Sequence, residues 1–144
     1  MAALTEGLQD YLEAILLCSA EHKFVRTKHL AEKLGVKSPS VNAAVKELAR
    51  LGFVEHESYG YIELTAEGRR QAECVYSRHK ILYRFFAKTL SLPNDLAEDT
   101  ACGIEHHLDE LTLKKITRLL DFLERKREKC EKFATELKEA LKDD

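Results

Sequence analysis

One change of apolar period constrains this chain more than anything else in it. Up to Leu51 the apolar residues recur at three- and four-residue steps, as on helices, and from Phe53 they recur at every second residue, as on strands. Leu4, Leu8, Leu12, Ile15 and Leu16, with Tyr11 beside them, mark an amphipathic helix over about 4–20. After a turn at 21–26, Thr27 is placed to cap a short helix whose apolar side is Leu30, Ala31 and Leu34, and Gly35 ends it. Ser38-Pro39 opens a third helix, hydroxyl cap followed by proline, with Val41, Ala44, Val45 and Leu48 inward and Leu51-Gly52 at its end. Phe53–Glu57 and Tyr61–Leu64 then read as two strands joined by a turn at Ser58-Tyr59-Gly60.

Everything after this hairpin is helical again. Thr65 is placed to cap a helix over about 66–91, with Cys74, Val75, Ile81, Leu82, Phe85 and Phe86 as its apolar content, until Pro93 breaks it. Asn94 or Asp95 caps the next, about 95–107; another spans about Thr112 to Arg127; and Cys130, Phe133, Leu137 and Leu141 keep helical spacing in the tail, about 128–142. The predicted fold is mainly α: a winged helix-turn-helix over 1–65, then an α-helical metal-binding and dimerisation domain over 66–144.

Composition narrows the class. No apolar run reaches the roughly 18 residues of a membrane span, and the N-terminal stretch carries acids where a secretory signal carries bases, so a cytoplasmic protein is expected. The four cysteines stand far apart and are expected to be free thiols. The net charge of −2 hides a basic segment: residues 21–50 hold seven Lys or Arg against three Glu, which suits a polyanion.

The third helix is placed to enter a major groove with its N-terminal end. Lys37, Ser38, Pro39, Ser40 and Asn42 lie there, with Lys46 one turn on; lysine and serine suit phosphates, and asparagine can pair with adenine edges. Arg26, Thr27 and Lys28 open the preceding helix, where they can clamp the phosphate backbone. Tyr59, at the wing tip, reads equally as a backbone contact or a solvent-exposed turn residue. A winged helix used for protein contacts is the plainer alternative; the small, polar and basic helix opening argues against it.

The strongest chemical signal is Cys102-Gly103-Ile104-Glu105-His106-His107. Positions three and four apart share a helix face, so Cys102, Glu105 and His106 project together, whereas His107 is turned away by about 100°. Thiolate, carboxylate and imidazole can each donate a lone pair to a divalent metal. Asp10 and Glu13 lie three apart on the polar side of the first helix; taken alone they read more simply as a solvated face. His79 reads equally as a packing histidine or a ligand.

Taken in order, the motifs resemble the diphtheria-toxin-repressor family of iron- and manganese-dependent transcriptional repressors, over about residues 4–125. They are Asp10-Tyr11-Leu12-Glu13, Leu30-Ala31-Glu32-Lys33-Leu34, Ser38-Pro39-Ser40-Val41, Leu64-Thr65-x-x-Gly68, Arg78-His79 and Gly103-Ile104-Glu105-His106-His107-Leu108. The resemblance implies a homodimer that binds double-stranded operator DNA when a metal joins the helical domain to the DNA-reading one. It implies the ligands Asp10, Glu13, His79, Cys102, Glu105 and His106. Asp10 and Glu13 match the manganese-responsive branch, and Cys102 matches the iron-responsive branch, where the manganese branch has glutamate. Tyr83 and Glu98 stand where the iron branch has ligands of an ancillary site. The mixed donor set favours Fe²⁺ over Mn²⁺, with Co²⁺, Ni²⁺ or Zn²⁺ able to bind in vitro. A metal-independent winged-helix regulator answering a small organic ligand is the alternative. A structural metal-binding dimer and a metal hydrolase are remoter ones, since no activated nucleophile, phosphate loop or base–orienter pair is evident for an enzyme substrate.

Overall fold

The computed structural model describes residues 4–56 and 60–142. The chain divides into two compact units, Met1–Tyr76 and Ser77–Asp144, and the division falls within one helix.

In the first unit, α1 (Glu6–Glu21) opens on Thr5, whose side chain accepts the Leu8 N–H. α2 (Thr27–Leu34) ends on Gly35, which takes the left-handed φ of 64°. Its amide then reaches the Ala31 and Glu32 carbonyls, satisfying acceptors that the helix end leaves open. α3 (Ser38–Arg50) has Pro39 in its first turn, where no amide hydrogen is required.

Two cap expectations shift by one residue. Arg26, not Thr27, is the boundary residue of α2, and its N–H donates to His29 Nδ1 at 3.2 Å. Thr27 is inside the helix and donates its hydroxyl hydrogen to Asn42 Oδ1 at 3.0 Å, a tertiary bond that replaces the local one. Likewise Lys37 is the boundary residue of α3, and Ser38 already has helical backbone.

The strands β1 (Val54–His56) and β2 (Ile62–Leu64) pair antiparallel, Val54 opposite Leu64 and His56 opposite Ile62. The Ile62 N–H also donates to the Val25 carbonyl at 3.0 Å, so the α1–α2 connection adds an isolated bridge to the hairpin. Glu57 and the turn with Tyr59 lie outside the described residues. Leu12, Ile15 and Cys18 of α1, Leu30 of α2, Val41, Val45 and Leu48 of α3 and Ile62 of β2 form one buried cluster, the helical faces read from the spacing. Burial pushes the Cys18 thiol above its ordinary pKa. No disulfide joins the four cysteines, and Cys74 is exposed and contributes nothing to the apolar face assigned to it.

The motif Leu64-Thr65-x-x-Gly68 is a joint between wing and helix. The Thr65 hydroxyl accepts the Gly68 N–H at 3.0 Å and donates to the Gly52 carbonyl at 2.8 Å, while its own N–H donates to the Phe53 carbonyl. α4 (Ala66–Tyr83) therefore starts hard against the Phe53 backbone, one residue before β1. A Cβ on Gly68 would sit 1.8 Å from the Phe53 oxygen.

In the second unit the expected helix to residue 91 changes character. The α-helix ends at Tyr83, and Arg84–Thr89 widen into a π-helical turn, with the Leu90 N–H reaching back to the Phe85 carbonyl. Arg84, at the start of this turn, donates to both carboxylate oxygens of Glu124 and to Asp121, tying the turn to α6 (Glu110–Lys129). α5 (Asn94–Ile104) has Pro93, not Asn94 or Asp95, as its boundary residue; Asn94 Oδ1 instead accepts the Tyr83 hydroxyl hydrogen at 3.3 Å. α6 starts earlier than Thr112 because Asp109 caps it, accepting the Thr112 N–H at 2.8 Å. Cys130, in extended backbone, separates α6 from α7 (Glu131–Ala140). Among the described residues no helix is long and apolar enough to cross a membrane.

Alanine normally stabilises a helix over glycine by about 1 kcal/mol. At position 68 the sign should invert: Gly68→Ala is expected to lower stability by about 1–3 kcal/mol through overpacking against the Phe53 backbone, read as a lower urea midpoint. An unchanged or raised midpoint would contradict the close approach.

Candidate metal centre

Three side chains that seldom enter an interior together do so in the second unit. Glu105 is fully buried, His79 is 8% exposed, and the His106 side chain is 6% exposed. His79 comes from α4, and Glu105 and His106 from a 3₁₀ turn, Glu105–His107, that continues α5. The expected α-helical face thus ends in a tighter turn. At three residues per turn, positions three apart eclipse, so Cys102 and Glu105 stay aligned. Cys102 Sγ lies within 4.8 Å of a Glu105 carboxylate oxygen. Cys102 itself is exposed, and so is His107, consistent with its expected turn away from the cluster.

The hydrogen bonding is asymmetric. Glu105 Oε2 is 2.8 Å from His79 Nδ1. Glu105 Oε1 has His106 Nε2 at 3.4 Å, and it is buried with no hydrogen-bond partner among the described residues. The other nitrogen of the His79 ring, Nε2, lies 3.1 Å from Glu98 Oε1 on α5, whose side chain is 60% exposed. An orphaned carboxylate oxygen costs about 1–3 kcal/mol or more, since it has lost its water and found no donor. A cation is the group that satisfies it, and imidazole, carboxylate and a neighbouring thiol are donors that a divalent transition metal accepts. The residues present therefore fit such an ion.

The structure brings together His79, Cys102, Glu105 and His106 of the expected ligands. Asp10 and Glu13 belong to α1 of the first unit. Glu13 is only 9% exposed, which does not fit a solvated polar face; Asp10 is half-buried. Tyr83 is engaged with Asn94. The contact of Glu98 with His79 escaped the sequence reading, because the two residues are on different helices and no local spacing links them.

The expected DNA-reading residues are on the surface of the first unit. Lys37, Ser38, Pro39, Ser40, Asn42 and Lys46 are exposed along the outer face of α3, as are Arg26 and Lys28 at the start of α2, while Thr27 is half-buried on its bond to Asn42. That bond places the opening of α2 beside the exposed face of α3. A second feature was not foreseen: Phe24 and Tyr61 stack with centroids 4.4 Å apart, Lys23 lies over the Phe24 ring, and Arg26 lies over the Tyr61 ring and donates to its hydroxyl at 3.4 Å. The aromatic pair thereby holds two cations at the edge of the module.

Comparison with known proteins agrees with this division of labour. Residues 3–62 match the iron dependent repressor N-terminal DNA binding domain, and residues 65–134 match the iron dependent repressor metal binding and dimerisation domain. The chain is 34% identical over 127 residues to an uncharacterised HTH-type transcriptional regulator of Methanocaldococcus jannaschii, covering 88% of this chain and 99% of that one. It is 28% identical over 120 residues to the HTH-type transcriptional regulator MntR of Lysinibacillus sphaericus, covering 83% and 86%. Among solved structures, a manganese-dependent transcriptional repressor in complex with manganese superposes with a TM-score of 0.73 at 33% identity, covering 80% of this chain and 53% of that one. The manganese regulator SloR superposes with a TM-score of 0.73 at 25% identity, covering 83% and 55%. The chain spans about half the length of these solved structures. With a winged helix-turn-helix followed by a helical unit that carries a buried ligand cluster, and with both family domains matched in order, the chain belongs to the iron-dependent repressor family, the diphtheria-toxin-repressor family, and is a metal-dependent transcriptional repressor.

Proposed function

We propose that Fe²⁺, or failing it Mn²⁺, is the corepressor of a cytoplasmic homodimer that binds double-stranded operator DNA upstream of metal-homeostasis genes. In this reading residues 1–65 read DNA, and residues 66–144 bind metal and dimerise. The observation that carries the metal assignment is Glu105, fully buried with one carboxylate oxygen unsatisfied and histidines on both sides of the carboxylate.

His79, Cys102, Glu105 and His106 are the proposed ligands of the helical domain, and Asp10 and Glu13 the proposed ligands of α1. The ion supplies positive charge that lets these acidic donors share one place. Carboxylates and a thiolate repel one another without a cation, so ligands drawn from both domains are held together only when it is bound. Any preference of the ion for the DNA-competent arrangement is returned as operator affinity, by linkage. Lys37, Ser38, Pro39, Ser40, Asn42 and Lys46 on α3, and Arg26, Thr27 and Lys28 on α2, are the proposed DNA contacts. Leu111, Leu119 and Phe122, on one side of α6 by their spacing, are 66%, 48% and 55% exposed. An apolar face of this kind supports self-association of the helical domain.

The test is duplex binding to promoter fragments under anaerobic conditions, with and without each metal. Metal is expected to raise operator affinity about 5–150-fold, with a chelator reversing the gain and Glu105→Ala abolishing it. Chelator-insensitive binding would overturn the metal-dependent reading. Separately, Cys102→Glu replaces a soft donor with a hard one and is expected to shift the response from Fe²⁺ toward Mn²⁺ in the same titrations. An unchanged preference would remove Cys102 from metal selection.

A further inference from the structure

We propose that Glu98 is a positioning residue of the metal centre, fixing the His79 ring so that Nδ1, not Nε2, is offered to the ion. The proposal rests on the metal-dependent reading and adds to it. It also gives Glu98 a different part from the one its alignment with the ancillary ligand position suggests.

The argument starts from the two nitrogens of one ring. His79 Nδ1 faces Glu105 Oε2 at 2.8 Å, and Nε2 faces Glu98 Oε1 at 3.1 Å. A ring nitrogen that binds a cation must present a bare lone pair, so in the loaded protein the remaining hydrogen has to sit on the opposite nitrogen. The two carboxylates of the second unit that face these nitrogens differ in their surroundings. Glu105 is fully buried, with one oxygen unsatisfied, and gains most from a cation beside it. Glu98 is 60% exposed, is already hydrated, and needs no ion. The metal therefore belongs on the Nδ1 side with Glu105, and the hydrogen on Nε2, donated to Glu98.

A carboxylate that accepts the second N–H of a metal-binding histidine fixes its tautomer and ring orientation and raises its basicity. Glu98 is well placed for this duty. It sits on α5, the helix that runs on into the turn bearing Glu105 and His106, so the ring is held from the element that supplies the other ligands.

The test uses the full chain and Zn²⁺ as a diamagnetic probe. Long-range ¹H–¹⁵N spectra of the loaded protein should show His79 with a hydrogen on Nε2 and a metallated Nδ1. Competition with a chromophoric chelator should show Glu98→Ala weakening Zn²⁺ and Mn²⁺ affinity about 10–100-fold. Glu98→Gln, whose amide oxygen still accepts the N–H, should keep most of the affinity. Metal-free Glu98→Ala should melt close to the parent, since the residue is exposed. A spectrum with the metal on Nε2, or unchanged affinity in Glu98→Ala, would overturn the proposal. Equal loss in Glu98→Ala and Glu98→Gln would also overturn it, because Glu98 would then be a ligand in its own right. A parent protein that binds neither metal would instead overturn the metal-dependent reading on which it rests.

Discussion

The fully buried carboxylate of Glu105 is the constraint on which the second unit's chemistry turns. Removing a charged oxygen from water without a compensating partner is among the costlier things a fold can do. The second unit does it at the end of α5, where the helix tightens into a 3₁₀ turn and aims Glu105 and His106 inward. Only one oxygen of that carboxylate is met, by His79. The arrangement is poor as a structural device, since an apolar side chain of similar volume would fill the space at lower cost. It makes sense for a place whose missing partner arrives from solution and whose arrival is the signal.

Polar joints fix the elements within each unit. Arg84 ties the π-helical turn after α4 to Asp121 and Glu124 of α6. Asp109 caps α6 immediately after the 3₁₀ turn, so the chain leaves the cluster on a fixed path. In the first unit, the Thr65–Gly68 joint locks the start of α4 to the wing through the Gly52 and Phe53 carbonyls. These joints use polar and charged side chains and one glycine rather than large apolar contacts; the Asp109 cap is local in sequence, whereas Arg84 reaches partners 37 and 40 residues away.

That explains what could be read from the chain and what could not. The buried faces of α1, α2 and α3 follow from three- and four-residue spacing, because burial on a helix is periodic. The hairpin follows from the change to a two-residue period. Gly35 and Pro93 mark helix boundaries through their own backbone chemistry. Failures occurred where a tertiary partner outbid a local one: Thr27 bonds to Asn42, and Asn94 to Tyr83, so neither serves as the cap its type suggests. The π turn at 84–89 left no periodic trace, since one widened turn barely alters the apolar pattern. In the cluster, Cys102, Glu105 and His106 were legible because they are neighbours in sequence. His79 joined that set only through the resemblance, and its contact with Glu98, spanning separate helices, was not legible.

The donor set itself carries the remaining argument. Iron-responsive and manganese-responsive members of the family differ, by the resemblance, at the position occupied here by Cys102. A thiolate is soft and polarizable, and it adds most to a borderline ion such as Fe²⁺, while Mn²⁺ gains little from replacing oxygen by sulfur. Yet the buried members of the cluster, Glu105, His79 and His106, are an oxygen and two nitrogens that serve either ion. Cys102 lies at the exposed edge, where solvent can take its place as a ligand. A selective donor at the rim and unselective donors in the interior divide two tasks. In the proposed ligand set the interior would fix how strongly any divalent ion is held, through the cost of leaving Glu105 unmatched, and the rim would fix which ion is held best, changeable by one substitution without disturbing the buried carboxylate.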